Sequence, residues 1–500
     1  MVMTLSYKSI FGAFTLVISL SAALLSYQLF FPKQIKTELN HRQYQQDLLM
    51  FLEATKQHSA FAAIEPQRLI TITETASRLM LEASGFNHST LLQQQLQQLL
   101  SQLNDPAAIA LAHNSTSLEM LPFEPIFDGQ NWQAFTPQGR LMEPDFPYLS
   151  HIDGIPISRW VQASQHYLTN ALKHSSVAQA TWIKQIGQLR AEIGLRASNE
   201  SVITLSDGET SVQRSLSLVQ HNKLQTKVPV KQDKASTSQA QIFRLPSQVD
   251  AETLLSLTHQ LTSQQADDHI GSPSSALIID IREIKQPQQQ LTAWLSKHFS
   301  HAVGNDGDGY VDNKFKHQAI AVLQYKRFAT ARADRIASQY PPMEQLSFFE
   351  QIELNNRGFD NDLIQDSPFS DYLIRKRPTF DEAPTTVAGL QVFLRIDASC
   401  EQECEWLALA SKQWPQVSLI GETSRGSLSP LHRFTLPNSG IKIQFSSALV
   451  YETNGQLLSG VGIDPELQLQ QQAFRKHNID ELITEKWLAK TSTANINRAP

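Results

Sequence analysis

The chain has 500 residues, 41% of them hydrophobic and 18% charged, which suits about two to four domains and excludes wholesale disorder. Lys and Arg number 42 against 48 Asp and Glu, a formal net charge of −6, so no global basic field exists and no nucleic-acid partner is expected. The two cysteines, Cys400 and Cys404, are too few for a disulfide scaffold or a cysteine-based zinc site. Neither a metal nor a cofactor is predicted.

The N-terminal segment, residues 1–34, predicts a membrane anchor. Residues 10–31 carry no charge and as a helix would reach about 33 Å, enough to cross a bilayer core. A cleaved signal peptide is the alternative, because Lys8 precedes the apolar run and the small residues 21–23 could form a cleavage site. Apolar character continues past that site and favours an uncleaved, single-pass helix. The basic residues on both sides leave the orientation open.

The next two regions differ in their patterns. Residues 35–115 predict a helical region. One of its helices carries an apolar face with glutamines on the opposite side. The apolar face is formed by Leu92, Leu96, Leu99, Leu100 and Leu103. Residues 106–150 are rich in loops, and 151–218 begin with a turn at Asp153-Gly154 between short apolar runs. This pattern predicts a small ligand-binding or packing module. Residues 220–240 are polar and indicate a surface loop or linker.

The C-terminal half alternates strands with helices. Apolar strands are predicted at 241–245, 276–281, 390–396 and 416–421, with helices at 251–264, near 291–299 and through Trp406. This alternation predicts an α/β layer in which helices cover a sheet. Residues 437–440 predict the turn of a hairpin that places Ile441, Ile443 and Phe445 on one face.

The intervening residues 305–385 are polar and predict a helical insertion over the core. At its start, residues 305–312 contain three aspartates with the spacing of a calcium loop. Aligning Gly309 with the turn glycine of an EF-hand leaves Gly304 at the first ligand position and Phe315 at the twelfth. Neither residue type supplies a ligand there, so the segment is predicted to be an acidic turn.

Several motifs occur in a characteristic order between about residues 45 and 470. They are Ile152-Asp153-Gly154-Ile155-Pro156, Asp280-Ile281-Arg282, Asp397 through Glu405 with both cysteines, Gly421-Glu422-Thr423, the hairpin at 434–440, and Gly460 through Glu466. In this order they resemble the tail-specific, or C-terminal-processing, serine peptidase family.

The resemblance implies a fold and a location. It implies a ClpP/crotonase-like α/β peptidase core at 241–475, a PDZ-like module at 116–220 and an N-terminal helical region, with 476–500 as a C-terminal tail. It also implies a body that faces the periplasm, held to the inner membrane by the single N-terminal helix.

The family's chemistry is acyl transfer by a serine that a nearby base activates. At the family's nucleophile position this chain has Gln402, whose amide is not a nucleophile. At the position of a histidine base, following the Leu-rich helix, it has Ala107. At the position of a lysine base, counted forward from Gly421, it has Ser427. The resemblance therefore implies that nucleophile and base are both lost.

The expected oxyanion segment is altered as well. The glycines that follow Asp280-Ile281-Arg282 in the family are replaced here by a segment containing Gln286 and Pro287, and proline has no N–H to donate. Ser399 and Ser424 are candidate substitutes for the nucleophile, with Lys285 as a neighbouring base. Each is more simply a polar loop residue.

Two further expectations concern the start of the helix after Gln402. Glu401, Glu403 and Glu405 are predicted to form a solvated, acidic helix start, which the helix dipole favours. A disulfide between Cys400 and Cys404 requires Cys400 to lie in the turn before the helix, because two cysteines four residues apart in regular helix are poorly placed for one.

These observations predict a membrane-anchored, periplasmic pseudopeptidase that binds peptide or protein partners. The alternative is an active serine peptidase that cleaves envelope proteins near their C-termini with a rearranged site. A third hypothesis is a structural envelope component that assembles through the anchor and residues 305–385.

Overall fold

The computed structural model describes residues 14–21, 35–83, 87–112, 119–196, 198–220, 241–266, 277–299, 318–327, 339–361, 367–377, 392–414 and 417–469. Residues 14–21 are helical and expose apolar side chains such as Phe14. The rest of the predicted span 10–31 lies outside the described residues, as do the predicted linker beyond Gln220 and the acidic turn at 305–312. Within the described ranges, no helix combines the length and the apolar character needed to span a bilayer.

The N-terminal region is helical, as predicted. Asn40 and Gln43 form a capping box at the start of its first helix, which satisfies N–H groups that have no partner within the helix. The five leucines of the predicted apolar face are buried. Two glutamines expected opposite them, Gln93 and Gln97, are also buried and bond to the backbone of residues 108–110. The elements are β1 (Glu38–Leu39), α1 (His41–His58), α2 (Ala60–Ile64), α3 (Pro66–Glu82), β2 (Asn87–His88), α4 (Ser89–Ser101) and β3 (Ile109–Leu111).

The second region is a six-stranded sheet packed against three helices, and we refer to residues 119–220 as the module. The predicted turn at Asp153-Gly154 is confirmed: both residues have positive φ, 53° and 74°, and join two antiparallel strands. The elements are β4 (Glu119–Met120), β5 (Glu124–Phe127), β6 (Trp132–Phe135), β7 (Tyr148–Ile152), β8 (Ile155–Pro156), α5 (Ile157–Gln165), α6 (Ser176–Lys184), α7 (Ile186–Glu192), β9 (Glu200–Ser206), β10 (Ser211–Ser217) and β11 (Val219–Gln220).

Asp153 explains why the turn is well defined. Its carboxylate accepts bonds from the Arg190 Nε and Nη2 at 2.9 and 2.7 Å, from the Ser201 hydroxyl at 2.9 Å and from the Val202 N–H at 3.0 Å. The Arg190 side chain is only 3% exposed. The turn is thereby tied to both α7 and β9.

The third region confirms the predicted α/β layer. Its main sheet has the order β12-β13-β16-β17-β21, and all its neighbouring strands are parallel. One apolar cluster includes side chains of this sheet and of α8, α9 and α11. The elements are β12 (Gln241–Arg244), α8 (Ala251–Ala266), β13 (Leu277–Asp280), α9 (Gln289–Phe299), β14 (Ala319–Tyr325), α10 (Phe348–Asn356), β15 (Leu373–Lys376), β16 (Val392–Ile396), α11 (Glu403–Ser411), β17 (Val417–Gly421), β18 (Leu431–Thr435), β19 (Lys442–Ser446), β20 (Ala448–Tyr451) and β21 (Leu467–Gln468).

The described part of the predicted helical insertion at 305–385 contains one α-helix, α10, but also two strands, β14 and β15. Every residue of β14 is buried, and this strand pairs with both β15 and β20. The reason is visible in the sequence: a seven-residue, mostly apolar run is too short for a buried helix and is typical of a strand covered on both faces. The element belongs to the core.

The predicted hairpin forms between β18 and β19, and Ile441, Ile443 and Phe445 are buried. Its turn contacts the other end of the described chain. The buried carboxylate of Asp47, in α1, accepts bonds from the Asn438 N–H and side-chain amide and from the Ser439 N–H, at 2.8–3.1 Å. Strand β3 completes the hairpin's sheet.

Candidate functional site

The expected nucleophile position lies at the sharp turn that begins α11. Gln402 has φ 54° and ψ −113°, a conformation that non-glycine residues rarely adopt and that tends to occur at functional sites. Its side-chain amide donates to the carbonyl oxygen of Ser427 and, at 3.2 Å, to that of Ser429. The positions expected for the nucleophile and for a lysine base are therefore in direct contact.

Cys400 and Cys404 form a disulfide, with their Cα atoms 5.3 Å apart. The condition derived from the sequence is met, because Cys400 precedes α11, which begins at Glu403. The bond spans the turn that contains Gln402 and is fully buried. It closes a small covalent ring around the expected nucleophile position.

Arg425 connects the position of the histidine base with this turn. Its N–H donates to the Cys400 carbonyl at 3.1 Å and its Nε to the Pro106 carbonyl at 3.0 Å. Ala107, the next residue, is buried, and its N–H bonds to the Asp105 carboxylate. Arg425 thus bonds both to the turn at Gln402 and to the segment in which the resemblance would place a histidine.

The expected oxyanion segment is also adjacent. Lys285 Nζ lies 2.8 Å from a carboxylate oxygen of Glu401, which precedes Gln402, while Gln286 and Pro287 are exposed. Arg425 approaches the same carboxylate at 3.7 Å. Arg425 and Lys285 hold the pKa of Glu401 below its ordinary value, although burial alone would raise it.

The prediction of a solvated acidic helix start is wrong for Glu403 and Glu405, which are both buried. The Glu405 carboxylate accepts the Ser424 hydroxyl at 2.7 Å, the Gly426 N–H at 2.6 Å, and the N–H and hydroxyl of Ser427 at 2.8 and 3.2 Å. Burial raises the pKa of Glu405 to about 7, although these bonds favour the charged form. Glu405 holds the loop after β17 against α11.

The candidate substitute nucleophiles have other partners. The hydroxyls of Ser424 and Ser427 donate to Glu405, and both residues are buried. The Ser399 hydroxyl donates at 2.5 Å to Asp397, which in turn pairs with Arg282. In the described ranges, none of these three hydroxyls has a histidine or lysine side chain as a hydrogen-bond partner.

A buried network of charges lies beside Ser399, at the carboxyl ends of β13 and β16. Arg282 donates two bonds to Asp280, at 2.8 and 2.7 Å, and a third to Asp397. Burial would raise the pKa of Asp280, but Arg282 and Arg395 hold it well below its usual range. Burial, together with Arg282, lowers the pKa of Arg395 to about 9. This network fixes the strand ends next to the turn.

A cavity of about 1290 Å³ opens between the module and the edge of the main sheet. On the module side its walls include Trp132, Ile157 and Val161, and on the sheet side they include residues 421–423 and 468–469. The Glu422 N–H bonds to the Ile396 carbonyl, directly before Asp397. The cavity therefore lies at the end of β17, which is bonded to the end of β16.

The sequence motifs located this site but not all its components. The sequence did not predict that Arg425 and Glu405 join the loops around Gln402. No local pattern shows that residues 424–427 contact α11. The available signal was that Glu403 and Glu405 begin a helix, α11, whose other residues are mostly apolar. No group of three or more histidine, cysteine, aspartate or glutamate side chains able to hold a metal ion occurs among the described residues.

Comparisons with known proteins find similarity at the level of the fold. No family model matches the chain, and no curated protein matches it. Mature CPAF complexed with lactacystin is 12% identical, with a TM-score of 0.58 over 91% of this chain and 99% of that chain. Mature CPAF itself is 12% identical, with a TM-score of 0.55 over 86% and 93%. A photosystem II D1 C-terminal processing protease is more distant, at 12% identity and a TM-score of 0.40 over 85% and 93%. The chain therefore shares its mixed α/β fold with mature CPAF.

Proposed function

We propose that this chain is a catalytically inactive member of the tail-specific peptidase family that binds a peptide or protein segment in the cavity between the module and the main sheet. In this proposal the module is PDZ-like and the α/β region corresponds to the family's ClpP/crotonase-like core. The observation that carries the proposal is Gln402, whose amide is bonded to the loop at 427–429 where the family would place a serine and its base.

Further support comes from the surroundings of Gln402. Ala107 supplies no base, and Pro287 has no N–H for an oxyanion. Loss of one member of a catalytic triad typically lowers turnover by about 10⁴- to 10⁶-fold. The cavity remains as a binding site, with a volume above the roughly 300–1,000 Å³ of small-molecule pockets.

The proposal places the body in the periplasm, anchored to the inner membrane by residues 10–31. The buried Cys400–Cys404 bond supports an oxidising compartment, since stable disulfides are rare in the cytosol. Retention of the full-length chain in the membrane fraction, at its uncleaved mass, would support the anchor. Release of a shortened chain would favour a signal peptide.

The alternative of an active peptidase is tested by cleavage of a fluorogenic peptide and of a denatured protein by the full chain in detergent. We expect no turnover above background and no covalent labelling by a fluorophosphonate. Turnover or labelling that Ser399→Ala, Ser424→Ala or Ser427→Ala abolishes would establish the alternative. Gln402→Ala is the control, because it changes the same turn without removing a serine hydroxyl.

Binding is tested with peptides selected from a random twelve-residue display library and measured by fluorescence anisotropy. Ser158→Trp, at the cavity wall on α5, should weaken binding at least tenfold by filling space. Gln162→Trp is the matched control, because Gln162 is exposed on the same helix and does not line the cavity. Failure to select any peptide, or equal binding by both variants, would refute a peptide site in this cavity.

A further inference from the structure

Helix α10 turns its large apolar side chains toward solvent. Phe348, Phe349 and Ile352 are 70%, 82% and 43% exposed, and the two phenylalanine rings contact each other edge to face, with centroids 6.0 Å apart. A surface helix normally packs such side chains on the core and exposes charged ones. We call these three side chains the outer face of α10. Neighbouring apolar side chains exposed in this way mark a contact surface.

The opposite side of α10 fixes the helix to the α/β core. Leu354 is 4% exposed and belongs to an apolar cluster with Val322 of β14 and Ile374 of β15. The Glu350 carboxylate accepts the N–H of Gln318, the residue before β14. These contacts set the rotation of the helix about its axis, so the outer face is presented on an element that is already ordered.

The outer face is free of charge. At about 100° per residue, Asn355 and Asn356 share this side of the helix, whereas Glu350 and Glu353 lie away from it. Glu353 pairs with Arg357 of this chain. A two-fold contact between identical chains places the same patch opposite itself. Because the patch has no ionisable side chain, a second copy can meet it without bringing like charges together.

Two other occupants fit this face less well. Helices that lie on membranes combine an apolar face with several lysines or arginines, but the nine residues of α10 include neither, and Arg357 after it is paired with Glu353. An extended peptide binds in a groove or at the edge of a sheet, whereas the outer face is the convex side of a helix. A second copy of this helix is the occupant that its shape and charge favour.

The area of the outer face predicts a weak contact. A phenylalanine side chain offers about 150–250 Å², so at the exposed fractions given above the three side chains present about 400 Å² per copy. Two copies would bury about 800 Å² from these side chains alone, below the roughly 1,200 Å² at which stable interfaces begin. Association in the micromolar range is therefore expected.

We propose that α10 is the contact through which two copies of this chain associate as a weak, two-fold symmetric dimer. In this dimer the outer face of each copy packs against that of the other, which removes the exposed phenylalanines from water. The inference is independent of the proposed peptide site, because none of the described residues that line the cavity belongs to α10.

Sedimentation equilibrium of the full chain in density-matched detergent tests the dimer. We expect a monomer–dimer equilibrium at about 1–100 µM chain. Phe349→Asp should raise the Kd at least tenfold, because it places a carboxylate in an apolar contact. Leu81→Asp is the matched control and should leave the Kd unchanged: Leu81 is 85% exposed, but Ser77 and Arg78, one turn earlier, are polar. A monomer throughout this range, or equal effects of the two variants, would overturn the proposal.

Crosslinking gives a second readout that leaves the apolar side chains intact. Because Cys400 and Cys404 are bonded to each other, Asn356→Cys introduces a single reactive thiol on the side of α10 that carries the outer face. A flexible bismaleimide should join two copies through it. Thr73→Cys, at an exposed position of α3, is the control and should give at most a tenth of that yield. Equal yields from the two positions would refute the dimer contact.

Discussion

Gly426 and Gly462 hold two loops in backbone contact beside the turn at Gln402. A Cβ atom on Gly426 would lie 2.8 Å from the Gly462 nitrogen, and one on Gly462 would lie 2.3 Å from the Ser424 carbonyl oxygen. Both glycines have positive φ, 79° and 91°, which costs other residues about 1–2 kcal/mol. Steric exclusion and backbone conformation thus both require glycine here.

Gly462→Ala should therefore lower the free energy of unfolding by about 3 kcal/mol or more, the sum of the backbone strain and the steric overlap. Gly139→Ala is the control, because its φ is also positive, 80°, but no atom lies within 4 Å of its Cβ position. We expect the control to lose only about 1 kcal/mol, as measured by urea denaturation. Equal losses in the two variants would show that the close approach of the loops is not needed.

Glu405 should make stability depend on pH. Its pKa is raised to about 7 in the folded chain from 4.5, so between these values the folded state binds a proton that the unfolded state has released. The free energy of unfolding should then fall as pH rises from 5 to 8, by about 3 kcal/mol from this group. Because other groups titrate in this range, the measurement is the difference from Glu405→Gln at each pH. A difference that is constant with pH would contradict the prediction.

At the residue scale, the sequence allowed the proximity of Gln402 and Ser427 to be predicted because the motifs are local. Gln402 follows from its spacing to the two cysteines, and Ser427 from its spacing to Gly421. The burial of Glu405 could not be predicted in this way, since its partners at 424–427 approach only after the chain has passed through β17. Contacts between loops depend on tertiary packing, which a local pattern does not encode.

At the scale of elements, Asp153 shows how one side chain fixes the relation between a turn, a helix and a strand. Asp153→Asn would remove the nearer of two carboxylates from the buried Arg190 guanidinium, leaving Glu119 at 3.9 Å. We expect a loss of about 3 kcal/mol. Glu143→Gln is the control, because it breaks the more exposed ion pair with Arg214, for which about 0.5 kcal/mol is expected. Hydrogen exchange of β9 amides should rise only in the first variant; unchanged exchange there would argue against this role.

The prediction of elements succeeded where the hydrophobic pattern alone specified them. Strands β13, β16 and β17 are short apolar runs, each next to a helix in the chain, and all three form. Strand β14 was missed because polar sequence surrounds it on both sides, which made the whole segment look like an insertion. Its pairing with β15 and β20 joins residues far apart in sequence, and such pairings leave little local signal.

At the scale of the whole molecule, Asp47 links the first long helix to the hairpin near the end of the described chain. Asp47→Ala would leave the two buried backbone N–H groups of Asn438 and Ser439 without acceptors, each costing about 1–3 kcal/mol. The Asn438 side-chain amide would lose its shortest bond and keep those to Gln43 and Gln46. We expect a loss of about 3 kcal/mol or more in global unfolding. Glu53→Ala, at an exposed position of the same helix, should change stability by no more than about 0.5 kcal/mol. Equal effects would mean that the contact does not stabilise the fold.

The same contact explains why the N-terminal helical region is part of one structure with the α/β core. Its apolar cluster includes Leu96 and Leu100 of α4 together with Ile443 and Phe445 of the hairpin. Strand β3 also completes the sheet that contains β19. The resemblance indicated the order of these regions, but only the tertiary structure identifies the side chains that join them.

The disulfide has a practical consequence. Both cysteines of the sequence are bonded to each other and buried, so the oxidised chain contains no reactive thiol. A single cysteine placed on any exposed surface would therefore accept a spin label or a fluorophore at one site without further engineering. With one label on the module and one on the α/β core, the distance between the two cavity walls could be measured in solution.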